Sequence, residues 1–249
     1  MVELDYAFNA YLGCAHGCRY CYAADITPGE SPETWGDTVR VRTNIIEVLQ
    51  REIKSKRRGL VGISTITDPY QPIEAKYRLS RQAIGLLLAN GFRVSIQTKS
   101  PLVLRDLDIL RDKKGLDAGI SLATPDKEIS RLIDRKSPLP DARIRTLREL
   151  SRNMIKTWMF LGPIIPGIND SDESFEALIS MASDLKIRVV LPPVVTLIID
   201  LDFSIRSPCI PCAAWKPCFS PFKLPVSRRH YSHEEISTCF SHENLKLVD

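Results

Sequence analysis

The sequence lacks a strong charge of one sign, a long apolar run, an internal repeat and an even complement of cysteines. Among its 249 residues, 34 lysines and arginines face 30 aspartates and glutamates, which leaves a net charge of +4. That excess is too small to argue for a nucleic-acid partner by itself. The longest apolar stretch, residues 189–199, is too short to span a bilayer, and Pro192 and Pro193 interrupt it. The N-terminus shows no charged start followed by an apolar core, so no secretory signal is expected. No segment is of low complexity. These absences predict a soluble, cytoplasmic chain with no membrane partner. The remaining composition, 44% hydrophobic, suffices for the core of one α/β domain of this length.

Seven cysteines are present, an odd number, and six of them stand in two tight groups. Cys14, Cys18 and Cys21 lie near the start, and Cys209, Cys212 and Cys218 near the end, with Cys239 apart. Such clustering in an intracellular chain points to metal rather than to disulfides.

Between the two groups, strand and helix patterns alternate. Residues 43–54 carry Ile45, Ile46, Leu49 and Ile53 at helical spacing. Residues 60–66 are apolar, rich in β-branched side chains and stopped by Asp68 and Pro69, which predicts a buried strand. A helix over 77–90 ends at Gly91, and a strand follows over 92–98. Ser100 and Pro101 predict an N-cap and first helical residue. Further strands are expected at 117–123, 155–161 and 187–191. Helices are expected near 126–133, over 141–153, and from a cap at Asp170 or Ser171 to about 184. Parallel strands joined by crossover helices account for this order.

The segment Cys14-Ala-His-Gly-Cys18-Arg-Tyr-Cys21 puts three thiolates on one short loop. Three cysteines can hold three irons of a four-iron cluster, and the fourth iron keeps a site open to a small molecule. Gly13 and Gly17 let the backbone bend around it. A zinc site with His16 as fourth ligand is the alternative, although zinc ligands more often come as two separated pairs.

The Cys-x3-Cys-x2-Cys spacing with an aromatic before the third cysteine resembles the radical SAM superfamily. More narrowly, five blocks resemble spore photoproduct lyase and the DNA repair photolyase-like relatives. They are residues 9–22 (NAYLGCAHGCRYCY), 64–74 (STITDPYQPIE), 98–110 (TKSPLVLRDLDIL), 119–124 (GISLAT) and 162–170 (GPIIPGIND). The resemblance implies a TIM-like partial (β/α)6 barrel with its site at the C-terminal ends of the strands. It also implies a 4Fe-4S cluster that cleaves bound S-adenosylmethionine (SAM) reductively. The deoxyadenosyl radical so formed would take hydrogen from a substrate. An external electron donor such as a ferredoxin or flavodoxin is implied as partner.

By the same resemblance, Tyr20 packs near the adenine and Tyr22 faces the radical as a catalytic candidate. Thr67 and Asp68 meet the SAM amino group. Lys99 pairs with its carboxylate, and Ser121 bonds that carboxylate or the ribose. Pro166, Gly167 and Asn169 form a loop against the adenine edge. One departure stands out. Thr65 occupies the place where spore photoproduct lyases carry a hydrogen-donating cysteine, so repair of spore photoproduct itself is not expected.

The domain expected to hold this site covers residues 1–195, and a Cys-rich, irregular extension covers 196–249. Cys209, Cys212 and Cys218 are expected to bind a second iron–sulfur cluster or zinc, with Cys239, His230, His233 or His242 completing the ligands. Lys216, Lys223, Arg228 and Arg229 alternate with Trp215, Phe219, Phe222 and Tyr231, a pattern that can bind single-stranded nucleic acid. Two other readings follow from these features: a non-catalytic, metal-stabilised nucleic-acid-binding module, and an iron–sulfur electron carrier.

Overall fold

A computed structural model describes residues 4–191 and the two-residue strand at 247–248. The chain begins with β1 (Tyr6–Phe8), β2 (Tyr11–Leu12), α1 (Ala23–Ile26), β3 (Arg40–Arg42), α2 (Ile45–Glu52) and β4 (Leu60–Ile63). It continues with α3 (Glu74–Tyr77), α4 (Leu79–Ala89), β5 (Arg93–Thr98), a 3-10 helix (Pro101–Asp106), α5 (Leu107–Leu110) and β6 (Leu116–Ser121). Then come α6 (Lys127–Asp134), α7 (Pro140–Arg152), β7 (Thr157–Phe160), α8 (Asp172–Asp184), β8 (Arg188–Val190) and β9 (Leu247–Val248).

Six strands form one wholly parallel sheet in the order β1-β4-β5-β6-β7-β8, as the alternating pattern predicts. Val61 of β4 sits between Tyr6 of β1 and Val94 of β5, and Ala118 of β6 sits between Ile96 and Thr157. The order is open, with β1 and β8 at its two edges, as a partial barrel requires. Val61, Ile63, Val94, Ile96, Ala118, Ile120 and Met159 are all buried in one core with Ala83, Ile84 and Leu87 of α4 and Leu147 and Leu150 of α7. Along β5 the alternate residues Arg93, Ser95 and Gln97 stay at least partly exposed. A central parallel strand is normally covered on both faces; here one face is apolar and closed, the other polar and accessible.

That polar face also explains Gly119. Trp158 donates from Nε1 to Asp117 at 2.9 Å, and Ser95 donates to the same oxygen at 2.6 Å. The indole covers Gly119 so closely that a Cβ there would overlap the ring. Gly119→Ala should therefore cost about 1–3 kcal/mol by displacing Trp158, measured as a lower urea midpoint with an unchanged slope.

Several boundaries differ from the sequence expectation, each for a side-chain reason. The strand expected to reach residue 66 stops at Ile63. Ser64 takes a left-handed φ of 61°, and the Asn9 carboxamide accepts the N–H groups of Thr65 (2.9 Å) and Ile66 (3.3 Å), drawing the chain out of the ladder. The helix expected over 77–90 breaks at Arg78, which is left-handed at φ 53°. The buried Glu74 carboxylate accepts the N–H groups of Ser80 (3.0 Å) and Arg81 (3.2 Å), and so restarts the helix as a remote cap. Ser100 does cap from its hydroxyl, accepting Leu102 N–H at 3.2 Å, but the turn that follows is 3-10 before α5 begins.

A second sheet was not legible beforehand. It has the order β2-β3-β9, with β3 antiparallel to both neighbours. Strands of two or three residues carry no readable period. Among the described residues no helix is long and apolar enough to cross a membrane. Cys209, Cys212, Cys218 and Cys239, the three C-terminal histidines and the basic and aromatic residues between them lie outside the described residues.

Candidate functional site

The cysteine loop leaves β2 at Gly13 and is gripped from three sides. From the end of β4, the Thr67 hydroxyl donates to Gly13 O at 2.7 Å, and the Gln71 carboxamide both donates to that carbonyl (3.3 Å) and accepts Ala15 N–H (2.8 Å). From the end of α6, Ile133 O accepts Arg19 N–H at 2.9 Å, and Lys136 N–H donates to His16 O at 3.1 Å. The third side is the connection before β3. There Trp35 is buried at 2% exposure, and the Gly36 backbone presses on Gly17 so tightly that a Cβ on Gly36 would stand 2.6 Å from the Gly17 Cα. Gly13 and Gly17 take φ of +80° and +56°, so the expected backbone bend is present.

Cys14 and Cys18 are buried at 7% exposure each, Cys21 is partly exposed, and none of the three is in a disulfide. Burial pushes the Cys14 thiol up to about 12 and the Cys18 thiol up to about 11, and it raises Cys21 as well. The charges of neighbouring thiolates add to this, Cys18 acting on Cys14 and Cys21 on Cys18. Opposing donors are already aimed at the sulfurs. Backbone N–H groups of His16 and Asp68 favour the Cys14 thiolate, and those of Ala23 and Ala24 favour that of Cys21. Lys99 acts on Cys18 and Cys21, and the Ser137 hydroxyl lies 3.9 Å from Cys18 Sγ. Buried thiols surrounded by N–H donors and a cation fit an anionic metal–sulfur group. Among the described residues no three His, Cys, Asp or Glu side chains are grouped closely enough to share one ion. In a four-iron cluster each thiolate binds a separate iron, so convergence on one point is not needed.

Around the loop stand two buried acids. Asp68 accepts the N–H groups of Tyr70 (2.8 Å) and Lys99 (2.8 Å) and the Thr98 hydroxyl (2.6 Å). His16 Nδ1 lies 3.4 Å from its other oxygen, near enough for charge but poorly aligned for a hydrogen bond. Burial would raise Asp68, yet His16 and these donors outweigh it and hold the carboxyl down at about 2. Asp134 closes α6. It accepts the Tyr20 hydroxyl at 2.5 Å, and Arg143 Nη1 stands 2.6 Å from its Oδ2. Against the cost of burial, Lys99, Arg143 and Tyr20 keep Asp134 below the usual carboxylate range.

The other candidates have definite places. Lys99, at the end of β5, has its ammonium 5.4 Å from the Tyr20 ring centroid. Tyr22 is 59% exposed and donates to Thr65 O at 2.6 Å. The Ser121 hydroxyl is buried and accepts from Gln97 at 3.0 Å. Gly167 is left-handed at φ 75° and donates its N–H to Asp170. Asn169 is buried; it accepts Ile165 N–H and donates to Ala123 O and Pro163 O, which closes its own loop against the end of β6. The structure thus joins Tyr20 and Lys99 directly and gives Thr67, Asp68 and Asn169 partners within the protein. Asp134, Gln71, Ser137 and Arg143 escaped the sequence reading. They lie dozens of residues from the cysteines they serve; Gln71 falls in the block 64–74 without being singled out there, and no local pattern marks the other three.

The family model of the radical SAM superfamily matches residues 8–181. The chain belongs to the radical SAM superfamily. Within it, the chain is 35% identical over 185 residues to an uncharacterized protein of Mycobacterium tuberculosis, covering 70% of this chain and 54% of that one. It is 33% identical over 166 residues to an uncharacterized protein of Methanocaldococcus jannaschii, covering 66% of this chain and 62% of the other. The chain therefore spans only about half to two-thirds of these curated relatives. Among solved structures it resembles a spore photoproduct lyase variant with bound AdoMet and dinucleoside spore photoproduct. There the TM-score is 0.59 at 19% identity, over 74% of this chain and 55% of that one. That likeness is one of fold, and it supports the α/β partial-barrel architecture of this radical SAM protein.

Proposed function

We propose that this radical SAM protein carries a 4Fe-4S cluster on Cys14, Cys18 and Cys21, cleaves SAM reductively and directs the deoxyadenosyl radical to a substrate hydrogen. The observation that carries the reading is the loop itself: three unbridged thiols, largely enclosed, met by backbone N–H donors and a lysine. When bound, the cluster supplies the electron that breaks the sulfonium.

The chain's own residues bind, orient and exclude water. Lys99 and Ser121 take the SAM carboxylate, a charge-assisted contact at the ends of β5 and β6. Tyr20 and the 166–169 loop border the adenine. Thr67 and Asp68 act on the amino-group side, and their bonds to Gly13 and to Lys99 N–H also keep the cysteine loop in register with the sheet. Tyr22, exposed beside Cys21, is available to the substrate. Residues 1–195 form the unit that carries this activity, and 196–249 an extension whose cysteines hold a second iron–sulfur cluster or zinc.

Anaerobically reconstituted protein, reduced with dithionite and given SAM, should release deoxyadenosine, read by chromatography. About four irons per chain are expected, or about eight with a second cluster. Protein loaded to that level that releases no deoxyadenosine overturns the reading.

A further inference from the structure

One buried carboxylate ties the cysteine loop, the end of β5 and two helices together. Asp134 is 2% exposed. Tyr20 belongs to the cysteine loop and donates to it at 2.5 Å, Lys99 Nζ stands 4.0 Å from its Oδ1, and Arg143 Nη1 stands 2.6 Å from its Oδ2. The Tyr20 ring meets the same ammonium from a second direction, at 5.4 Å. Arg143 is itself buried; its Nε donates to Pro138 O (2.7 Å) and its Nη1 to Ser121 O (3.2 Å), while its Nη2 has no hydrogen-bond partner among the described residues.

Three charged side chains meet at this point, and Cys18 and Asp68 act on Lys99 as well. Lys99 and Arg143 bring two positive charges, and Asp134 brings one negative. Arg143 has the tight contact, whereas Lys99 stands at the edge of ion-pair distance. A lysine stem is flexible, and its ammonium tends to swing towards water unless something holds it. Here the Lys99 side chain is only 16% exposed. Asp134 and the Tyr20 ring therefore steer the ammonium from two directions.

We infer that Asp134 is a positioning residue for SAM binding, holding the Lys99 ammonium over Tyr20 and beside Cys18 and Cys21, where it receives the SAM carboxylate. This rests on the reading of Lys99 and the cluster given under Proposed function. Asp134 touches neither cofactor; it acts through Lys99.

The test uses the full chain, reconstituted anaerobically, with SAM affinity read from the change in the reduced cluster's EPR signal and iron content measured alongside. Asp134→Asn should load iron like the wild type but bind SAM about tenfold more weakly, the scale of one charge-assisted hydrogen bond. Lys99→Met should weaken SAM binding at least as much. The double variant should be no weaker than Lys99→Met alone, because a residue acting through Lys99 has nothing left to position. Asp134→Asn that binds SAM within about twofold of the wild type overturns the inference, as do losses that simply add in the double variant. Lost iron loading in a folded Asp134→Asn also overturns it, since that would make the residue a support of the loop. If Asp134→Asn does not fold, Tyr20→Phe decides: it removes one donor to the carboxylate and keeps the ring. SAM binding about threefold weaker supports the inference, and unchanged binding overturns it. A wild type that loads iron yet shows no response to SAM would instead overturn the functional reading, and every variant would then be silent alike.

Discussion

Replacing any one of Cys14, Cys18 and Cys21 with alanine should abolish deoxyadenosine formation and leave the fold standing. Each thiolate anchors its own iron, so two anchors cannot hold the group with one iron left free for SAM. Iron after reconstitution should fall by about four per chain in each single variant. The fold should survive because these thiols are protonated in the metal-free protein: burial lifts Cys14 to about 12 and Cys18 to about 11. A protonated buried cysteine behaves as a small apolar side chain, and its truncation to alanine should cost about 1 kcal/mol. Circular dichroism and a urea titration of the metal-free variants check the second half of this expectation, and iron analysis and chromatography the first. A variant that keeps its full iron and still makes deoxyadenosine would remove that cysteine from the ligand set.

Asp68→Asn should be a strongly damaging conservative change. The carboxylate takes three hydrogen bonds, from Tyr70 N–H, Lys99 N–H and the Thr98 hydroxyl, and lies beside His16. An asparagine turns a donor towards one of these donors, and the buried groups left unmatched should cost about 2–4 kcal/mol at neutral pH. The loss should depend on pH in a definite sense. The folded carboxyl is held at about 2, against an ordinary value of 3.8. Its charged form is thus bound preferentially by the native state, and the stabilisation is complete above the ordinary value. That full stabilisation amounts to about 2 kcal/mol, and it drains away as pH falls from 3.8 towards 2. Urea unfolding of wild type and Asp68→Asn at about pH 6 and about pH 3 should show the gap narrowing at the lower pH. A constant gap would mean that the native protein does not favour the Asp68 charge.

What could be read directly from the residues follows from short-range rules. The alternation of β-branched runs with helical spacing set the order of strands and helices, and hence a parallel sheet. The cap at Ser100 and the left-handed Gly91 followed from single residue types, and the structure chose Ser171 over Asp170 for the cap of α8. The cysteine triplet could be proposed as a metal site from spacing alone, because three candidate ligands on one short loop need no distant partner to be noticed.

Tertiary structure decided everything that depends on distant partners. Asn9 ends β4 early, and Glu74 makes the helix expected from residue 77 start afresh at Leu79, since each carries a polar side chain to backbone groups that are remote in sequence. Thr67 and Asp68 were legible as polar residues at a strand end, but their bonds to Gly13, Thr98 and Lys99 exist only once β2, β4 and β5 are brought together. Asp134 lies more than a hundred residues beyond Tyr20 and has no motif of its own. A buried charge is placed by the groups that surround it in space, and those groups meet only when the sheet has formed and α6 has closed over the cysteine loop.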